Sequence, residues 1–319
     1  MAEADAAAIV VDWGAKNFRA WLVNVDSGEV LGEIPEGRGM RDLARQELPG
    51  YCRAVLSRWR DNPRREARPP VYMAGMVGSQ IGWLEAPQPP LPKGPEDLAE
   101  CVVEVPNMPD TFIVPGVRVQ EDDGRIDVMR GEEVQIFGAL SVAAKDDAIL
   151  CLPGNHSKWA EAKGGRLIRF TTNMTGEIYN TMLDHTILGK PADRKAPWNE
   201  TAFEQGLEQS THDGGVLDHL FTARSRFLYG GLKSEHIAPF LSGLLIGHEV
   251  RAMDDHYHSG GQDVLLVCSE ALRGPYERAL TYCGHATRWI DGRAATVAGV
   301  AAIIRRHRAA GGAAVGAAD

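Results

Sequence analysis

The stretch IVVDWGAKNFRAWLVNVDSGEVL, residues 9–31, decides the reading of the fold. Residues 8–11 are an apolar run that delivers Asp12 to its end, and Gly14 opens a tight turn through Ala15, Lys16 and Asn17. In the segment that follows, Phe18, Ala20, Leu22 and Asn24 fall on one face and Arg19, Trp21, Val23 and Val25 on the other. That is the two-residue period of a strand. Asp26-Ser27-Gly28 is a turn by composition, and Glu29-Val30-Leu31 starts a third strand. A carboxylate at the end of a buried strand, followed by a Gly turn, suits a metal-bound polyphosphate. The carboxylate attracts the cation and its water shell, while turn amides and a basic side chain meet the phosphate oxygens. The plain alternative is an antiparallel meander carrying a solvated Asp.

Further along, the chain repeats the pattern. Residues 148–162 read AILCLPGNHSKWAEA, followed by Lys163-Gly164-Gly165 and Arg166-Leu167-Ile168. Ile9 overlays Ile149, Gly14 overlays Gly154, and the polar turn AKN overlays NHS. Two copies of strand, Gly turn, strand, turn, strand point to a duplicated unit whose Gly turns grip one polyphosphate from opposite sides.

Asp12-x-Gly-x-x-x-x-Arg19-Ala20 resembles the first phosphate motif of sugar kinases in the actin-like ATPase superfamily. DWG-x-x-NFRAWL, GMVGS-x-x-GW, DVMRGEE-x-QIFGAL, LPG-x-HSKW, MTGE and LSGLLIG together resemble the 2-keto-3-deoxygalactonate kinase family. The resemblance implies an α/β protein of actin-like, ribonuclease-H-like fold, two duplicated α/β domains around a nucleotide cleft. The first domain is expected over residues 1–127, with helix 294–308 packing back on it, and the second over 128–293.

Composition agrees. A chain of 319 residues has room for two cores. A formal charge of −9 without a basic stripe speaks against nucleic-acid binding. Cys52, Cys101, Cys151, Cys268 and Cys283 are widely spaced and odd in number, which reads as reduced thiols in a cytoplasmic protein. The first eight residues are acidic and lack the apolar core of a signal peptide, and no apolar run approaches a membrane span. A homodimer is compatible with all of this.

Taken in order, residues 41–59 show helical spacing and residues 71–76 form a buried strand running into Gly75-Met76-Val77-Gly78-Ser79. Residues 86–96 carry five prolines and are expected to be an extended loop. In the second half, residues 178–188, 203–232 (interrupted at 212–215), 237–258 and 269–280 are expected helices, and 263–267 a buried strand. Asp254-Asp255-His256-Tyr257-His258 has metal-like composition, for which a charged helix end is the plain explanation. The first residues and the Ala/Gly-rich tail read as frayed or low-complexity.

The segment from Asp127 onward holds the second chemical site. Gly131 opens a helix with Glu132 in its first turn, where a carboxylate is also favoured simply by the helix dipole. The resemblance implies more: related sugar kinases open this helix with a Gly-Asp pair whose carboxylate deprotonates the attacking hydroxyl. Glu132 is therefore the expected general base, with Glu133 and Asp127 as runners-up. Arg130 is expected to orient a carboxylate or the transferring phosphoryl group.

The function implied is transfer of the γ-phosphoryl group of ATP, with Mg2+, to the terminal hydroxyl of 2-dehydro-3-deoxygalactonate, a small-molecule sugar acid. Asp12 would hold the Mg2+ through water. Gly14, Lys16, Asn17 and Arg19 would meet the nucleotide from one side, and Gly154, Asn155, His156, Cys268 and Ser269 from the other. Gly78, Ser79, Arg130, Thr175 and Glu177 are the expected sugar-acid contacts. Ala15-Lys16 stands where the superfamily pattern has two threonines, Asn155 where it has Thr, and Cys268 where it has Gly. The enzyme alternatives are a kinase for another small sugar or sugar acid and an exopolyphosphatase-like hydrolase, and the departures leave room for a non-catalytic sugar-acid sensor.

Overall fold

The computed structural model describes residues 6–63, 67–121, 123–257 and 263–312. The expectations for residues 1–5, 64–66, His258 and the tail from 313 lie outside the described residues. The chain forms two compact units. One holds the residues up to Asp147, Ala162–Phe170 and those from Gly292 on, and the other holds Ala148–Glu161 and Thr171–Asp291.

In the first unit, β1 (Ala7–Trp13), β2 (Phe18–Asn24) and β3 (Val30–Ile34) form the meander expected from residues 9–31. β4 (Val71–Ala74) joins β1 in parallel. With β5 (Val103–Glu104) and β6 (Thr111–Ile113) the sheet runs β3-β2-β1-β4-β6-β5. Strand β1 is apolar on both faces because it is covered on both, and Ala7 to Val11 are all buried. Asp12 comes where that cover ends. Helix α1 (Leu48–Arg60) begins later than the spacing predicts, since 40–42 and 45–47 are separate 3-10 turns. Pro49 in its first turn, where no N–H is needed, sets that start. Leu48, Cys52, Leu56 and Trp59 then pack with Trp13, Phe18 and Leu22. The proline-rich loop ends in a short helix, α2 (Pro95–Ala99), and β7 (Val117–Gln120) pairs with β8 (Ile126–Met129) as a separate hairpin before α3 (Glu132–Ala143).

The second unit holds β9 (Ala148–Leu152), most of β10 (Ser157–Lys163), β12 (Val264–Cys268) and β13 (Thr287–Asp291), which with β11 (Arg166–Asn173) form a sheet in the order β11-β10-β9-β12-β13. This is the order of the first sheet: a three-strand meander whose first strand takes a parallel neighbour on its other side. The sequence repeat is thus a repeat of architecture. Helices α4 (Thr175–His185), α5 (Glu200–Gln209), α6 (Val216–Tyr229), α7 (Ile237–Tyr257) and α8 (Glu270–Tyr282) complete the unit. Phe203, Val250, Leu266 and Tyr276 pack with Trp159 in its core.

The last helix, α9 (Gly292–Ala309), packs on α3, β1 and β4 of the first unit. Its crossing with α3 brings backbone against backbone. A methyl group on Gly138 would lie 1.8 Å from the Ala295 carbonyl oxygen, and one on Gly299 would lie 1.8 Å from that of Val134. No other residue fits there. The same device recurs in the second unit, where Gly206 of α5 and Gly243 of α7 lie against each other's helix. The tight crossing places α3 in the first unit, whereas a division after residue 127 would have put it in the second.

Candidate active site

Within the first unit, three chain segments converge on Asp12. Gly75, just past the end of β4, has φ +96°, and a methyl group on it would meet the Trp13 carbonyl oxygen at 2.9 Å and Asp12 Oδ1 at 3.5 Å. Gly131, at the start of α3, has φ +105°, and its methyl would lie 3.1 Å from Gly75 Cα. Both glycines are required by left-handed backbone and by close approach. Together they bring the end of β1 against the start of α3, and with it Asp12 into the electrostatic range of Glu132.

Asp12 pairs with Arg19 at 3.6 Å and keeps about 26% of its side chain exposed. Its carboxyl is nevertheless pushed up to about 6, because desolvation outweighs the Arg19 cation and Glu132 adds like charge. Such a group favours an incoming cation. Glu132 is half-buried and accepts the Arg130 N–H at 3.3 Å. Glu133 is fully buried; both its oxygens accept the Gly131 N–H, at 2.9 and 2.7 Å. Burial first, then the neighbouring Glu132 charge, raises its carboxyl to about 8. Of the runners-up for the base, Glu133 is therefore a buried brace of the helix start. Asp127 lies on the β7–β8 hairpin, where its carboxylate accepts the Val128 N–H.

Arg130 donates Nη2–H to the Ala86 carbonyl at 2.7 Å and lies over Gly78, where a methyl would come within 2.8 Å of Nη1. Nη1 is buried and has no hydrogen-bond partner among the described residues. A buried guanidinium N–H left unsatisfied is costly unless a ligand meets it. The Ser79 hydroxyl is directed to the Met76 carbonyl, closing a turn.

The first Gly turn differs from expectation. Gly14 N–H is used inside the turn, on the Asn17 carbonyl at 2.9 Å, and the Gly14 and Ala15 carbonyls accept N–H groups of Met40 and Arg41. Lys16 and Asn17 are exposed at its tip, so side chains face outward from a braced loop.

In the second unit, Gly154, Asn155 and His156 lie against the start of α4. A methyl on Gly176 would meet the Gly154 carbonyl oxygen at 2.5 Å, and Glu177 donates its N–H to the Asn155 carbonyl at 3.1 Å. His156 pairs with the Glu177 carboxylate. The residues expected for nucleotide (Asn155, His156) and for sugar (Glu177) thus form one cluster. Lys158, missed by sequence reasoning, is buried with its ammonium 3.3 Å from the His156 carbonyl. A lysine two residues beyond a phosphate-type turn was the available signal. Thr175 and Cys268 are turned inward. The Thr175 hydroxyl donates to buried Glu249 and is not turned out to a ligand. Cys268 is 4% exposed, packed with Val264 and Leu266, and burial pushes its thiol up to about 12. Strand β12 is covered on both faces, so its last side chain is core, and only exposed Ser269 remains at the start of α8. Asp254 of the His-rich helix end pairs with buried His285, and among the described residues no three His, Cys, Asp or Glu cluster as metal ligands.

The model of the 2-keto-3-deoxy-galactonokinase family matches residues 12–303. The chain belongs to this family. A 2-dehydro-3-deoxygalactonokinase of Escherichia coli is 34% identical over 301 residues, covering 92% of this chain and 96% of that one. A Rhizobium meliloti relative described by the same activity is 33% identical over 305 residues, covering 92% and 95%. A crystal structure from Sinorhizobium meliloti, also described as a 2-dehydro-3-deoxygalactonokinase, superposes with TM-score 0.80 at 30% identity, over 93% of this chain and 96% of that one. The activator of 2-hydroxyisocaproyl-CoA dehydratase from Clostridium difficile shares the fold at 10% identity, with TM-score 0.53 over 97% and 98%. The fold of this galactonokinase-family chain is the actin-like ATPase fold. No helix among its described residues is long and apolar enough to cross a membrane.

Proposed function

We propose that this chain is the ATP-dependent kinase of 2-dehydro-3-deoxygalactonate, acting in the cytoplasm. The observation that carries the reading lies at one helix start: Glu132 accepts the Arg130 backbone N–H, and the Arg130 side chain ends in a buried Nη1–H with no hydrogen-bond partner among the described residues. A sugar acid brings both groups this pair needs: a carboxylate for Arg130 and a hydroxyl for Glu132.

Glu132 takes the proton of the terminal hydroxyl as its oxygen attacks the γ-phosphorus, and ADP leaves with the electrons of the broken P–O bond. Arg130 Nη1 holds the substrate carboxylate, with Gly78 keeping the guanidinium in place and Ser79 beside it. Each unit is assigned a phosphate-binding turn of its own: Gly14, Lys16, Asn17 and Arg19 in the first, and Gly154, Asn155, His156 and Lys158 in the second. Ser269 is assigned to the adenosine and Glu177 to the sugar acid. Mg2+ fits Asp12, a part-exposed carboxylate at the end of a buried strand, which would hold the ion through water. When bound it supplies charge neutralisation on the β- and γ-phosphates.

A phosphoryl-transfer screen over sugar acids and neutral sugars, coupled to ADP release, tests the reading. The 2-dehydro-3-deoxy acids should be turned over and their neutral counterparts should fail. Faster transfer to a neutral sugar, or ATP hydrolysis without an acceptor requirement, would overturn it.

A further inference from the structure

In the second unit, Glu249 of α7 is 4% exposed, and four side-chain donors from three other elements converge on it. Ser157 Oγ donates at 2.6 Å and Trp159 Nε1 at 2.9 Å, both to Oε1; Tyr276 OH donates to Oε2 at 2.9 Å, and the Thr175 hydroxyl donates as well. The donors come from β10, α4 and α8. Two of the four sit at informative places. Ser157 directly follows Gly154-Asn155-His156, and Thr175 directly precedes Gly176, which packs on the Gly154 carbonyl. One buried carboxylate therefore ties down both sides of the second Gly turn.

A core carboxylate is expensive for stability alone. Taking it out of water carries a large desolvation cost, and four donors at best restore what water gave. An apolar residue would fill the same space without that cost. What the carboxylate supplies and a Leu cannot is direction: it fixes the rotamers of Ser157 and Thr175, and through them the path of the backbone between.

We infer that Glu249 is a positioning residue for the second phosphate turn, acting through Ser157 and Thr175 to hold Gly154-Asn155-His156 in the conformation that receives the phosphates of ATP. It touches no reactant itself. The inference rests on the assignment of that turn to the nucleotide. It adds that nucleotide affinity depends on a carboxylate 92 residues away in the chain.

The test compares Ser157→Ala, Glu249→Gln, the double variant and Trp159→Phe with wild type. Each is read by the KM for MgATP, the KM for the sugar acid, calorimetric affinity for ATP, and a thermal melt. Ser157→Ala and Glu249→Gln should each raise the ATP KM and weaken ATP binding at least ~10-fold, with the sugar-acid KM within about twofold. The double variant should be no worse than Glu249→Gln, because Ser157 acts through that carboxylate. Trp159→Phe removes a donor to the same oxygen away from the turn, and should melt earlier while keeping its ATP affinity. Earlier melting of all variants with unchanged ATP affinity would overturn the inference, as would a loss of affinity in Trp159→Phe equal to that in Ser157→Ala. If Glu249→Gln does not fold, Ser157→Ala and Trp159→Phe decide the question. Calorimetry reads ATP binding without turnover, so failure of the sugar-acid assignment appears separately, as wild-type ATP binding without phosphoryl transfer.

Discussion

Asp12 and Arg19 are direct cross-strand partners in the β1–β2 ladder, with the guanidinium 3.6 Å from the carboxylate. This cation does not keep Asp12 at an ordinary carboxyl pKa: desolvation wins and the group titrates near 6. The pair holds Asp12 in place and leaves it short of positive charge.

Mg2+ should supply that charge. In the proposed role Asp12 must be ionised, so kcat/KM for MgATP should fall as pH drops through about 6. Raising Mg2+ should move that acid limb to lower pH, because the ion competes with the proton. Asp12→Asn should abolish turnover, and a variant that keeps normal activity at limiting Mg2+ would remove Asp12 from the metal site.

Glu132→Gln should lower kcat by about 100- to 10,000-fold with little change in either KM, since the amide keeps the shape but accepts no proton. A residue that only favours the helix start would give a different result: a stability loss of ~1 kcal/mol or less, with the chemistry intact. Steady-state kinetics beside a melt separate the two.

Glu133 should govern stability instead. Its folded carboxyl sits near 8 against an ordinary 4.5, so the folded state holds a proton that the unfolded chain releases. The stabilisation is complete below about 4.5 and is lost as pH rises through about 8. Between about pH 4.5 and 8 the slope should reach at most about 1.4 kcal/mol per pH unit. Glu133→Gln, a neutral mimic, should flatten that dependence in denaturant titrations; an unchanged slope would show that the carboxyl is not held protonated.

Gly138→Ala and Gly299→Ala should each destabilise the protein by at least ~2 kcal/mol, as the α3–α9 crossing is forced apart. Gly50→Ala in α1 is the control. A methyl there meets nothing within 4 Å, so it should be neutral or stabilising by up to ~1 kcal/mol. Chemical denaturation of the three variants checks the ranking.

Much of this was legible in the sequence where the signal is local. The apolar run at residues 8–11 placed Asp12 near the end of β1, and the repeat of the Gly14 and Gly154 turns foretold two copies of the same three-strand meander. Signals failed where a distant partner decides which way a side chain points. Thr175 looks like an open helix-start hydroxyl until Glu249 is placed beneath it. Cys268 follows a strand whose cover on both faces comes from elsewhere in the chain. Glu132 and Glu133 are chemically alike neighbours, and only the rotation of the α3 start makes one half-buried and the other core. Gly14 reads as a phosphate turn, yet its N–H closes on Asn17, and the Met40 and Arg41 amides that brace the loop come from beyond β3.

The return of α9 to the first unit also orders events during synthesis. The sheet of β1 to β6 leaves the ribosome early, but the helix that closes over β1, β4 and α3 starts only at Gly292. By then every strand and helix of the second unit has been made. The usual order, in which the N-terminal domain of a nascent chain finishes first, is therefore inverted. The half that carries Asp12 and Glu132 keeps an apolar strip uncovered until the residues from Gly292 on have been made.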